Sequence, residues 1–162
     1  MSYKISTMSL EALFATFFAF SALMGVSMSY VFLLYTAESV ARVFFISASM
    51  FGLMALYGNT TKRDLTRFGS FLLMGVMGLI VASIINIFLG SAPLQFAVSL
   101  LGVVIFTGMT AYDAQRMKDM YFQLGDGSEI ATKKLAIMGA TNLYFDFINI
   151  FLSLLRLMGD RK

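Results

Sequence analysis

Two carboxylates stand where carboxylates are expensive. Asp113, in TAYDAQR, and Asp146, in LYFDFIN, lie inside or at the edge of long apolar runs. An acid at membrane depth carries a large desolvation cost, so it faces a bundle interior, shares a proton, or lines a water path. Both have polar company: Tyr112 directly before Asp113, Tyr144 two residues before Asp146, and Asn142 and Asn149 on either side of it. Asn86, near the end of an earlier apolar run, completes the set. If the two carboxyls meet, they cannot both ionise freely in a low dielectric. The pair then holds one proton between them and titrates as a unit. Protonated, it is a hydrogen-bonded latch. Deprotonated, it repels, admits water, and offers transient oxygen ligands to a hard cation such as Ca²⁺.

Composition removes most competing chemistries. The 162-residue chain is 59% hydrophobic and 13% charged, about half the roughly 25% of a soluble domain, and its mean hydropathy is +0.81. It reads as a polytopic membrane protein. It has no cysteine and no histidine, which excludes disulfides, thiolate sites, a cysteine nucleophile and the usual imidazole base or zinc ligand. A proton switch in this chain must use carboxylates. The net charge of +3 is not gathered into the basic face that nucleic-acid binding needs. No resident cofactor is expected; the expected partners are the lipid bilayer, Ca²⁺ as a permeant ion of the acid pair, and other membrane proteins.

The elements that must position the two acids follow from hydropathy. Spans of about 12–35, 41–57, 69–89, 94–113 and 135–157 suit a hydrocarbon core of about 30 Å, which predicts an all-α, single-domain bundle of five transmembrane helices over 1–162. The first span reads as a retained signal anchor, since it is too long for a cleaved leader. Ser21, Gly25 and Ser29, then Ala48 and Gly52, then Gly75, Gly78 and Ala82, offer small faces for close helix approach. Arg42 reads as an interfacial anchor, with a counter-ion role for a buried acid as its alternative. Pro93, the single proline, suits a helix start. INIFL occurs at 85–89 and again at 148–152, too short an echo to imply duplication.

Charge sets the expected orientation. The connections 58–68 and 114–134 hold Lys62, Arg63, Arg67, Arg116, Lys118, Lys133 and Lys134, whereas the opposite side holds Arg42 close to a helix end. The positive-inside rule then makes these two connections and the N-terminus cytoplasmic. Arg156, Arg161 and Lys162 fall on the outer side. The short loops suit a bacterial inner membrane.

Depth constrains the acid pair. Asp113 is about 7 Å along a helix from Lys118, while Asp146 is about 18 Å from Lys134. The depths match only if the fourth helix continues past Lys118 or the fifth begins above the membrane surface. The stretch YFQLGDGSEIATKK, which contains Gly125, Asp126 and Gly127, reads as a loop between them.

At these residues the chain resembles a known family. GVVIFTGMTAYDAQRMK and LYFDFINIFLSLLRLMG, with GLIVASIINIF earlier, closely resemble the paired C-terminal signature of the Bax inhibitor-1, or transmembrane Bax inhibitor motif, proteins. The resemblance covers nearly the whole chain. It implies a bundle with a central last helix and a pH-sensitive Ca²⁺ leak channel, linked in eukaryotes to suppression of cell death. The family's di-aspartyl sensor carries over onto Asp113 and Asp146. The five spans are similar to the last five of the family's seven helices, so the first two, and the arginine that the second supplies to the aspartates, have no counterpart here. The loop between the aspartate motifs is longer than in compact bacterial members.

Two other functions compete. An intramembrane aspartyl protease also uses two membrane aspartates with a shared proton, but its pattern frames the second acid as GxGD on a helix. Here Asp146 follows Phe145, and the glycine-framed acid is Asp126. The chain is therefore expected not to be an enzyme. A non-catalytic membrane protein that modulates proteases or cell-death and stress factors is the alternative to a channel.

Overall fold

The structure, a computed structural model, describes residues 9–124 and 129–161. The helices are α1 Leu10–Met28, α2 Val31–Leu34, α3 Ala37–Thr60, α4 Thr66–Leu89, α5 Ala92–Leu124 and α6 Glu129–Met158. Five helical stretches are long and apolar enough to cross a membrane, the first being α1 and α2 taken together. Among the described residues there is no strand beyond a single bridge between Tyr35 and Arg161. The chain is an all-α membrane bundle. Met1, Lys162 and the Gly125–Asp126–Gly127 stretch lie outside the described residues.

Local chemistry explains where the helices begin and end. Ser9 accepts a hydrogen bond from the Ala12 amide and caps α1, and Thr36 accepts from the Ser39 amide and caps α3. At the end of α4, Gly90 takes a left-handed conformation with φ 61°, which costs glycine nothing. The Asn86 side chain then accepts from the Ser91 amide at 2.9 Å, and the Ser91 hydroxyl accepts from Leu94 at 3.3 Å to start α5. In the connection before α4, the Thr66 hydroxyl and amide both donate to Asp64 and hold its carboxyl below the usual carboxylate range.

The helices outrun the apolar segments that announced them. The fourth, expected to stop near 113, continues to Leu124, and the fifth, expected from 135, begins at Glu129. Residues 114–124 contain no glycine or proline, so nothing local stops the helix once it leaves the apolar region. A Glu129–Lys133 ion pair at 3.0 Å supports the first turn of α6. Much of the stretch read as a loop is therefore helical. At 33 residues, α5 is about 50 Å long against a hydrocarbon core of about 30 Å.

The last helix is the most enclosed. It buries ten residues, Asp146 among them, whereas α4 buries two and α1 one. It packs on α1, α3 and α5, while α5 packs on α3, α4 and α6, so α5 and α6 together form the centre. Val43 from α3, Val103 and Phe106 from α5, and Ile150, Phe151 and Leu155 from α6 share one core. The outer faces carry large apolar side chains such as Phe88 and Met74, as expected of a lipid-facing surface.

Close crossings rest on small residues, though not all the expected ones. A Cβ on Gly58 would collide with the Ala111 backbone, one on Gly69 with the Tyr112 ring, and one on Gly139 with the Met117 thioether. Gly75 meets Ile105 as expected, but Gly25, Gly52 and Gly78 face open space. Spacing alone identifies a small face but not whether a neighbour lies against it.

A side-chain clamp holds the 61–65 connection to α5. Buried Gln115 accepts from the Leu65 amide at 2.8 Å and donates to the Arg63 carbonyl at 2.6 Å. One turn on, Lys118 donates to the Asn59 carbonyl at 2.7 Å. At the opposite end, the Asp160 amide donates to Ser39, the Thr36 amide donates to the Asp160 carbonyl, and Arg42 pairs with Asp160 at 3.3 Å. Arg42 thus docks the tail and serves no buried acid.

Gly58→Ala is expected to lower detergent-solubilised stability by about 1–3 kcal/mol, because the backbone it meets has no rotamer to yield. Gly78→Ala, into open space on a helix, should be neutral or mildly stabilising by thermal unfolding. Gln115→Ala strands a buried amide and a carbonyl at a cost of about 1–3 kcal/mol. It should also speed hydrogen exchange at Leu65 while leaving the amides of α6 protected.

Candidate functional site: a buried pair of aspartates

Asp113 on α5 and Asp146 on α6 are both buried, at 6% and 2% exposure. Their carboxyls lie close enough for each to act on the other. The register of the two antiparallel helices brings this about. Gly102 lies against Ser153 and Gly139 against Met117, so residue 113 stands level with roughly 143, and residue 146 with roughly 110. That leaves an axial gap of about three residues, or 4–5 Å. Helical side chains lean toward their own N-terminus. On antiparallel helices the two carboxyls therefore lean toward each other and close the gap. The depth mismatch anticipated from the sequence is resolved in both ways at once, since α5 continues past Lys118 and α6 starts before Lys134.

The pair is poorly compensated. Asp146 Oδ2 is buried without a hydrogen-bond partner. Among the described residues the ion pairs are Arg42–Asp160 and Lys133–Glu129, so neither aspartate has a cationic partner. A neutral protein interior without a counter-ion disfavours two charges at this spacing. The geometry can hold a proton between two acids, or present carboxylate oxygens to a cation if the helices part. With two carboxyls it cannot supply the 6–8 oxygens of a resident Ca²⁺ site by itself. No group of three or more acidic residues gathers among the described residues.

The other expected polar residues are dispersed. Tyr112 packs on Gly69 of α4, and Tyr144 meets the ring of Phe20 edge-on at 6.3 Å. Asn149 donates to the Phe145 carbonyl of its own helix at 2.8 Å, and Asn142 is exposed. Asn86 caps the turn after α4, about 30 Å along α5 from Asp113.

Residues not singled out in the sequence share the buried face of α5 with Asp113 instead. Ser99, Val103, Phe106, Thr110 and Asp113 are all buried, and their alternating spacing of four and three puts them on one face of α5. Thr110 is fully buried and donates to the Phe106 carbonyl at 2.9 Å. The hydroxyls of Ser47, Ser99 and Thr107 are buried without partners. Serine and threonine at heptad spacing from Asp113 were the available signal.

Comparison with known proteins identifies the family. The family model described as inhibitor of apoptosis-promoting Bax1 matches residues 1–162. The chain is 50% identical over 155 residues to an uncharacterised protein of Rickettsia prowazekii, covering 96% of this chain and 65% of that one. It is 44% identical over 162 residues to the inner membrane protein YbhL of Escherichia coli, covering 100% of this chain and 69% of that one. An uncharacterised protein of Borreliella burgdorferi is 47% identical over 159 residues, with 98% and 67% covered. The chain thus spans about two thirds of the length of these relatives. With both aspartate motifs inside a match that runs from Met1 to Lys162, the chain belongs to the Bax inhibitor-1 family.

Proposed function

We propose that this membrane protein forms a pH-sensitive Ca²⁺ leak path controlled by the Asp113–Asp146 pair. The observation that carries the reading is the contact of two buried carboxyls at the centre of the bundle, without a cation beside them. The shared proton keeps α5 and α6 latched. Its loss sets two like charges against each other across an apolar interface, which favours separation and water entry. Ca²⁺ passes as a permeant ion rather than a bound cofactor, and the reading assigns no enzymatic activity. The name of the Escherichia coli relative and the distribution of Lys and Arg support an inner-membrane location with the 61–65 connection in the cytoplasm.

A second reading, a non-catalytic partner of membrane proteases or of cell-death and stress factors, draws on one feature. An open apolar groove of about 420 Å³ runs between α1, α2, α3 and α6, lined by residues including Met28, Phe32, Val40, Phe44 and Phe147. It offers a face to another helix. Nothing in it involves the aspartates.

In liposomes loaded with a Ca²⁺ dye, leak is expected to rise with pH, and Asp146→Asn should flatten that dependence. Leak and pH profile unchanged by Asp146→Asn would overturn the channel reading and favour the partner reading. Because the chain has no cysteine, orientation can be tested with single introduced thiols. A membrane-impermeant maleimide should label Ala92→Cys in intact cells, and Lys62→Cys only after permeabilisation.

A further inference from the structure

A second recess lies far from the aspartates, at the end of the bundle where the tail docks. It encloses about 110 Å³ and is lined by Tyr30 and Tyr35 around α2, Gln95 on the first turn of α5, and Leu155, Arg156 and Arg161 at the end of α6 and beyond. Three observations identify what it suits. Two arginines line it and, among the described residues, no acidic side chain does. Asp160, the acid between them in sequence, is turned to Arg42 at 3.3 Å, and among the described residues neither Arg156 nor Arg161 has an ion-pair partner. The Arg161 guanidinium lies over the Tyr35 ring, 5.9 Å from its centroid, so a buried aromatic ring holds it at the recess wall.

Size narrows the ligand. Drug-sized ligands occupy about 300–1,000 Å³, whereas this recess has the volume of roughly four liquid waters. It admits a small oxyanion or the head of a larger molecule. Depth narrows it further, because tyrosine and arginine at a helix end mark the membrane–water interface, where lipid phosphates lie. Arg156 has an ordinary use as a cation in the last turn of α6, worth about 0.3–1 kcal/mol against the helix dipole. Arg161 lies beyond that helix and has no such use. Two planar guanidinium groups flanked by an amide and two phenols make a fork suited to phosphate oxygens.

We propose that the recess lined by Arg156, Arg161, Gln95 and Tyr35 is a phosphate-binding site, of the chemistry shared by a phospholipid headgroup and free inorganic phosphate. The site is independent of the acid pair. It gives a use to positive charge that the overall Lys and Arg distribution assigns to the other side of the membrane.

The test uses the full chain in dodecyl maltoside micelles and phosphorus NMR with two separate probes, inorganic phosphate and phosphatidylglycerol doped into the micelles. Saturable broadening of either resonance is expected. Broadening by phosphate alone assigns a free oxyanion, and broadening by the lipid alone assigns a headgroup; both support the site. The double change Arg156→Gln with Arg161→Gln should weaken binding about tenfold or more, while Lys133→Gln with Lys134→Gln, equal in charge at the other end, should leave it unchanged. Failure of both probes to bind, or equal loss in the two double variants, overturns the proposal. If the first double variant does not fold, exposed Arg161→Gln alone is expected to cost about threefold, and no loss there overturns the proposal.

Discussion

The bundle depends on placing two carboxyls at one depth in an apolar interior. That requirement fixes more than the two residues. A carboxyl that misses its partner by a helical turn is left alone in a medium that charges it heavily for desolvation, so the axial register of α5 against α6 has little freedom. Gly102 and Gly139 let the helices approach closely enough for short aspartate side chains to touch. Gly58 and Gly69 then bring α3 and α4 onto the other faces of α5.

The same requirement explains the division of polar groups. Some hydroxyls in the membrane take a partner from their own helix, as Thr110 does from Phe106 and Thr141 from Ile137, whereas Ser47, Ser99 and Thr107 are buried without one. Among the described residues the ion pairs stand at the two ends, Arg42 with Asp160 at one and Lys133 with Glu129 at the other. The acid pair sits one turn inside the clamped end, in an interior that otherwise buries apolar side chains and a few uncharged polar ones. A change in its protonation therefore acts on both central helices at once.

Much of this was legible in the residues, and the remainder was hidden for physical reasons. The five spans, the burial of Asp146 and the family came from apolar run length and two local motifs. The ends of α5 and α6 did not, because hydropathy reports where the lipid stops, and 114–124 has the composition of a helix that carries on into water. The meeting of Asp113 with Asp146 depended on those ends. Tyr112, Asn86 and Asn149 were grouped with the acids because they were near them in sequence or shared their polarity. Helix direction and register, absent from such reasoning, send them to other neighbours. Gln115 carried no signal at all, since a clamp on a distant turn looks like any polar residue after a span.

Gln115 gives the bundle a mechanical property. It ties the α3–α4 connection to α5 only two residues beyond Asp113, with Lys118 adding a second tie to the end of α3. The α3–α4 hairpin and α5 therefore move as one rigid block at that end. If α6 is to draw away from Asp113, it must slide or tilt against the whole block rather than against a single helix. At the far end the tail after α6 is held separately, by Ser39 and Arg42, so the two ends of the α5–α6 pair are secured by unrelated contacts.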